Sequence, residues 1–285
     1  IFELLRYGSD VGAKLSKYFG VPYCVYYDSP ITTQFEEMYG FTPKEWVAEN
    51  ELESLRLADA VVVYSNPVRD YIMSITGRTD PTAFHKFQTL DYSRLTFEKS
   101  EGGVKAPTIG FIGTFMRWHR VDMLVRAFER LQHSGLRAKL LLIGAGEEYE
   151  NIVELVSKSQ FRHCIEMPGF VDGSRLIEYK KKIDIGVMPG SNWYGIPTKV
   201  FEYGAAKIAS VAPRTKTIND IFSNKKDCLL FDTNSEESLF GCLRSLVEDE
   251  GLRIELANSL YEKVKEDHTA EGAKRFYLNL FNSFN

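Results

Sequence analysis

From Thr108 onward, short unbroken apolar runs alternate with stretches in which apolar residues recur every three or four positions. The runs are "TIGFIGT" (108–114), "AKLLLIG" (138–144), "CIEMPG" (164–169), "DIGVMPG" (184–190), "IASVAP" (208–213) and "CLLF" (228–231). They are bounded by Gly or Pro and do not alternate with polar residues, which predicts strands buried on both faces. The periodic stretches 121–132, 149–159, 174–182, 197–206 and 217–223 predict helices between them. Strands and helices in strict alternation with short connections imply right-handed β-α-β units, hence a parallel sheet covered by helices.

Before residue 100 the alternation is sparser. "VPYCVYY" (21–27) and "DAVVVYS" (59–65) predict strands, and "KEWVAENELESLRLA" (44–58) predicts a helix. "SNPVRDYIMSIT" predicts another, with Ser65 or Asn66 as its N-cap. Two or three such units make only part of a second α/β domain. The polar, Gly-rich, Pro-ended "KSEGGVKAP" (99–107) predicts a linker. After Cys228 come helical stretches at 235–248 and 251–267. A last one, 270–284, carries Phe276, Leu278, Leu280 and Phe281 and needs a surface to pack against.

Composition narrows the function classes. The 285 residues are 44% hydrophobic and 26% charged, enough to bury a sizeable core. A formal net charge of −4 gives no global basic field for nucleic acid. The Lys180–Lys181–Lys182 run and the Lys225–Lys226 pair read as solvated faces. Cys24, Cys164, Cys228 and Cys242 form no C-x-x-C pair, and three sit in or beside apolar runs. That suits buried thiols in a reducing compartment. No apolar run approaches the ~18 residues of a membrane span. The five histidines never pair at i, i+4, and no D-x-D occurs, so no metal site is expected. Neither a G-x-S-x-G elbow nor a G-x-x-x-x-G-K-[ST] phosphate loop is present.

In open α/β sheets ligands bind beyond the carboxyl ends of the strands, and here those ends carry glycine loops. They read "GFIGT", "LIGAGEEYE", "PGFVDGS" and "PGSNWYGIPTK". In "LIGAGEEY", Tyr149 occupies the third glycine position of G-x-G-x-x-G, which argues against a dinucleotide oxidoreductase. "GTFMRWHRVDML" brings Thr114, Arg117, Trp118, His119 and Arg120 to a strand-to-helix turn, where amides and cations together suit an anion. The alternative is a packed histidine between two surface arginines. In "GIPTKVFEYGAA", Pro197 suits the first helical position, leaving amides from Thr198 onward unbonded and Lys199 beside them. Glu202 falls about 7.5 Å further along the axis at ~1.5 Å per residue, placed to accept from a sugar diol. Here the alternative is an intrahelical Lys199–Glu202 pair worth a few tenths of a kcal/mol.

Taken in order, "IGFIGTFMRWHRVDMLVRAFERL", "LLLIGAGEEYENI", "IEMPGFVDGSRLIEY", "IDIGVMPGS" and "PTKVFEYGAA" resemble the nucleotide-binding half of glycosyltransferase family four. These are retaining group 1 enzymes of GT-B architecture, and the chain resembles their Trp-His-Gly subgroup. The resemblance implies an α/β chain of two Rossmann-like doubly wound parallel-sheet domains facing a cleft, the first incomplete. Residues 1–103 would be the end of an acceptor domain plus linker, 104–268 the nucleotide-sugar domain, and 269–285 a helix crossing back. It implies transfer of a sugar from a nucleotide-diphospho-sugar to an acceptor hydroxyl, with retention and without a metal or other cofactor. A nucleotide-sugar epimerase and a non-catalytic nucleotide-sugar-binding subunit are the alternatives. The implied partners are a UDP- or GDP-type donor and a glycan or lipid-linked acceptor, not nucleic acid. The implied place is the cytoplasm, with peripheral attachment to the membrane face left open.

The resemblance also assigns roles. Gly113, Thr114 and the Gly144 loop would face the donor phosphates, and Gly195, Ile196, Pro197, Thr198 and Lys199 would receive the diphosphate. Glu202 would bind the ribose, and the Val171 backbone would meet the base. The family's catalytic histidine would precede Ile1. Departures are Tyr194 where the family has a sugar-contacting acid, and Thr114 and His119 where many members have Arg and Lys. Arg120 and Lys207 stand where glycine is usual. Arg117, Arg120 or Lys199 is expected to supply the displaced positive charge.

Overall fold

The computed structural model describes residues 1–87 and 106–284; most of the expected linker, and the 103/104 boundary, lie outside them. The described residues form two compact units. One holds residues 1–87, 194–196 and 271–284; the other holds 106–193 and 197–270.

The first unit is a parallel sheet in the order β1-β2-β3-β4: β1 (Phe2–Leu4), β2 (Cys24–Tyr26), β3 (Ala60–Val63) and β4 (Phe84–Lys86). Between the strands run α1 (Val11–Phe19), α2 (Ile31–Tyr39), α3 (Glu45–Leu57) and α4 (Asn66–Thr76). Sequence patterning anticipates β2, β3, α3 and α4. It misses β1, α1, α2 and β4, because these bury little. Val11, Leu15, Tyr18 and Phe19 of α1 are exposed, and α2 buries only Ile31. Helix α2 starts where it does because Glu51, buried on α3, caps it. The carboxylate accepts from the Ile31 amide at 2.9 Å, the Thr32 amide at 3.3 Å and the Tyr27 hydroxyl at 2.5 Å.

The second unit runs β5 (Thr108–Ile112), α5 (Val121–His133), β6 (Lys139–Ile143), α6 (Tyr149–Ser157), β7 (Ile165–Gly169), α7 (Gly173–Lys181) and β8 (Ile185–Val187). It continues through α8 (Thr198–Ala205), β9 (Ala209–Pro213), α9 (Lys216–Ile221), β10 (Leu229–Phe231), α10 (Glu236–Glu248) and α11 (Glu250–Asp267). All six strands are parallel, in the order β10-β9-β8-β5-β6-β7. The strands read as unbroken apolar runs because each side of the sheet has its own core. Ile109, Phe111, Leu140, Leu142, Ile185 and Val187 pack with α5 and α10, whereas Leu141 and Ile143 pack with Ile183, Tyr203 and Ile208.

The chain leaves β5 toward β6 and β7, then returns to lay β8, β9 and β10 on the other side. The order of travel therefore reverses between β5 and β8, and the crevice beyond their carboxyl ends is the topological switch point. Gly110 and Gly186 are register partners there. A Cβ on Gly110 would strike the Ile183 side chain, and one on Gly186 the Tyr203 ring. The bare Gly186 lets α8 lie close to the sheet, and the bare Gly110 makes room for Ile183 beside it. The Tyr203 hydroxyl accepts from the Ile112 amide at 3.2 Å, fastening the helix to the end of β5.

Helix α12 (Ala270–Asn282) belongs to the first unit. Its Leu280 is buried with Cys24, Ala60 and Val62, and its Phe276 ring stacks on Phe87 with centroids 4.4 Å apart. No described helix is long and apolar enough to cross a membrane.

Candidate functional site

Two loops of the second unit meet at the switch point: 113–120 after β5 and 188–193 after β8. Backbone bonds shape the first. The Phe115 amide donates to the Ala145 carbonyl at 2.9 Å, and the Glu148 amide to the Phe115 carbonyl at 2.8 Å. A Cβ at Gly144 would run into the Gly113 carbonyl, so the loops after β5 and β6 pack backbone to backbone only with glycine there. Gly190, after β8, lies as tightly against the Trp118 carbonyl.

Helix α8 points its start at this place. Its first residue is Thr198, one later than the sequence suggests, and Pro197 (φ −78°, ψ 50°) stands outside as the cap residue. Helix geometry leaves the first amides of α8 without intrahelical acceptors, with the positive end of the helix dipole behind them. Lys199 in the first turn is half-buried and lies against Gly113, its ammonium 5.5 Å from the Phe111 ring centroid. His119 Nδ1 meets the Thr114 carbonyl at 2.5 Å, and its Nε2 meets Lys199 Nζ at 3.1 Å. A carbonyl only accepts and an ammonium only donates. The imidazole therefore carries its proton on Nδ1 and offers Nε2 to Lys199.

Burial, then the nearby Lys199 charge, pushes the His119 pKa down to about 4, against a smaller opposing effect of the Thr114 carbonyl. His119 is thus neutral at pH 7. Burial lowers Lys199 to about 8, opposed by the Glu202 carboxylate. Lys199 remains mostly protonated at pH 7 and is poised to regain a full charge when an anion arrives.

The alternative reading, an intrahelical Lys199–Glu202 pair, is not what the structure shows. Glu202 Oε2 instead receives the Lys180 ammonium of α7 at 2.9 Å. This corrects the reading of residues 180–182 as a solvated face: the Lys180 side chain is 4% exposed, while Lys181 and Lys182 are open to water. The spacing carried the signal. Leu176, Tyr179 and Lys180 stand at i, i+3 and i+4, one helix face that leads to buried Ile183.

The other candidates are distributed as follows. Thr114 is exposed beside the His119 contact. The Arg117 side chain is 86% exposed, 3.7 Å from Glu148. Arg120 donates to Asp122 at 3.2 Å and Asn234 at 3.0 Å, so neither guanidinium joins Lys199. Val171 is buried with Leu141, Ile143 and Tyr203, next to a Phe170 that is 79% exposed. Tyr194, Gly195 and Ile196 group with the first unit. There the Tyr194 hydroxyl donates to Glu37 at 2.6 Å and its carbonyl accepts from the Tyr64 hydroxyl. Among the described residues no cluster of His, Cys, Asp and Glu could hold a metal ion.

The family model described as "Glycosyl transferases group 1" matches residues 94–267. No curated protein sequence matches the chain. Among solved structures, Anabaena Alr3699/HepE in complex with UDP superposes with a TM-score of 0.79 at 13% identity, over 96% of this chain and 76% of that one. Sucrose-phosphate synthase from Thermosynechococcus elongatus gives 0.78 at 17% identity, over 96% and 71%. The C-terminal domain of the group 1 family protein LpcC from Francisella tularensis gives 0.54 at 19% identity, over 64% of this chain and 99% of that one.

Proposed function

Because the chain belongs to the group 1 glycosyltransferases and has their GT-B fold, we propose that it moves a sugar from a nucleoside diphospho-sugar to an acceptor hydroxyl with retained anomeric configuration. The observation that carries this reading is the pairing of Lys199 with a neutral His119 at the start of α8, with Glu202 one turn deeper. In this reading the diphosphate takes the first amides of α8 and the Lys199 ammonium, and Glu202 accepts from the ribose diol. The bond from the anomeric carbon to the diphosphate breaks, and the acceptor oxygen bonds on the same face. The acceptor proton passes to the departing phosphate oxygen. Negative charge builds on the diphosphate, where fixed donors stabilise it most. Lys199 and the helix amides meet that charge, so the proposed reaction needs no metal ion.

UDP is the first nucleotide to test, since HepE is solved with UDP and with UDP-glucose. The acceptor in this proposal is a glycan or lipid-linked hydroxyl. Thermal unfolding with UDP, GDP and their sugars tests the site, as a ligand at 100 times its Kd stabilises by about 2.7 kcal/mol. The reading expects stabilisation by one of them and its loss in Lys199→Met. NMR of the released anomer in the presence of a chelator tests retention and metal independence. A non-catalytic donor-binding role is the second reading, carried by Tyr194 and its bond to Glu37 where a free acid is usual. Absence of any donor turnover, by transfer or by hydrolysis, in the full-length protein that still binds the donor favours it.

A further inference from the structure

The Lys180–Glu202 pair does more than join two helices. A lysine whose side chain is 4% exposed has lost nearly all its hydration, and its bond to Glu202 at 2.9 Å replaces that water. Leu176 and Tyr179, flanking it on α7, pack onto an apolar floor formed by Leu141, Ile143, Val171 and Tyr203. The ammonium therefore reaches Glu202 along an apolar stem with little freedom to move. Glu202 is the opposite kind of group: its side chain is 32% exposed, and its Oε2 takes the Lys180 bond. An unpaired glutamate has three side-chain torsions to fix before it can bind a diol, near the upper end of side-chain ordering costs.

We propose that Lys180 is a positioning residue that holds Glu202 Oε2 from within the fold and so presents the carboxylate, already oriented, to the hydroxyls of a nucleoside ribose. The proposal rests on the functional reading above for the ribose. Lys180 itself touches no ligand. It stands near the end of α7 and reaches α8, so the carboxylate is referenced to the helix that packs on the same apolar floor as Val171. The rival is that Lys180 is structural only, stabilising the α7–α8 contact with no bearing on what binds.

The test is discrimination between ribose and its deoxygenated form. Whichever of UDP and GDP the unaltered chain binds is compared by calorimetry with its 2′,3′-dideoxy counterpart. Hydrogen bonds to a carboxylate predict that the dideoxy nucleotide binds about 10- to 100-fold more weakly. In Glu202→Gln this ratio falls toward one. In Lys180→Met the ratio is expected to fall at least threefold while inorganic pyrophosphate affinity holds within twofold, and the double variant is expected to match Glu202→Gln alone. Lys180→Gln, which keeps a donor but no charge, carries the same expectation should the methionine variant not fold. A folded Lys180 variant with a lower melting temperature but an unchanged ratio overturns the proposal, as do effects of the two substitutions that simply multiply. If the unaltered chain does not discriminate, the ribose assignment fails first and the role of Lys180 falls with it.

Discussion

In the proposed donor site, Lys199 makes diphosphate affinity a function of pH above neutrality. Its pKa in the empty protein is about 8, so about nine-tenths of the protein carries the charge at pH 7 and about one-hundredth at pH 10. A diphosphate oxygen about 4 Å away contributes on the order of 4 kcal/mol at an effective dielectric of 20, about three pH units, and keeps Lys199 charged in the complex beyond pH 10. Binding then takes up a proton in proportion to the empty fraction. Affinity is expected to be level to pH 7, to fall about tenfold per unit above 8, and to have lost about 100-fold, or ~2.7 kcal/mol, by pH 10. His119, lowered to about 4, stays neutral throughout, and a terminal phosphate with a pKa near ~6 is fully ionised above pH 7. Calorimetry with UDP at pH 7, 8, 9 and 10, in buffers of different ionisation heat, reads both the affinity and the proton uptake. An affinity constant to within twofold across that range refutes the argument, as does an equal fall in Lys199→Met. The same shift acts on stability with a definite sign. Between pH 8 and 10.5 the unfolded chain holds more protons than the folded one, so the empty protein gains stability as pH rises through that window. Lys199→Met is therefore expected to stabilise the empty protein by about 1–3 kcal/mol while weakening diphosphate binding.

Three further outcomes follow from the packing. Glu51→Ala strips the acceptor from two amides and the Tyr27 hydroxyl, and urea unfolding is expected to show a loss of about 3–5 kcal/mol. Gly144→Ala drives a methyl group into the Gly113 carbonyl; a loss above about 2 kcal/mol is expected by thermal melting, where a mere turn glycine would lose less. Lys207→Gly releases a side chain from φ +51° and gives up only its ammonium contact with the Tyr261 ring, so a melting temperature unchanged or a few degrees higher is expected.

The second unit is legible in the sequence because its strands are buried on both sides and end in glycine. "TIGFIGT" and "DIGVMPG" announce β5 and β8, and their loops hold Gly113, His119 and the approach to Lys199. Two departures from the family pattern also become intelligible. Arg120 and Lys207 stand where the resemblance expects glycine, and both have the left-handed backbone, at φ +49° and +51°, that glycine adopts without strain. What escaped the sequence depends on partners far along the chain. Arg117 and Arg120 read as phosphate cations, and nothing in the string shows that Arg117 lies 3.7 Å from Glu148 or that Arg120 reaches Asn234. Lys180 looks like one of three surface lysines because charge outweighs phase when a helix is read as a string. In the first unit, α1 and α2 present few inward apolar positions, so periodicity has little to register.

Gly110 and Gly186 carry no side chain, yet they decide where the proposed donor site stands. Together they form a trough in the sheet that seats Ile183 against Gly110 and the Tyr203 ring against Gly186, and Lys199 and Glu202 ride on the same eight-residue helix as Tyr203. An added carbon at position 186 would lift that helix by roughly the thickness of a methyl group. A displacement on the order of 1 Å in a reacting site costs about 100-fold in rate. Selection on this enzyme's turnover would thus act on two places where the sheet has no side chain at all.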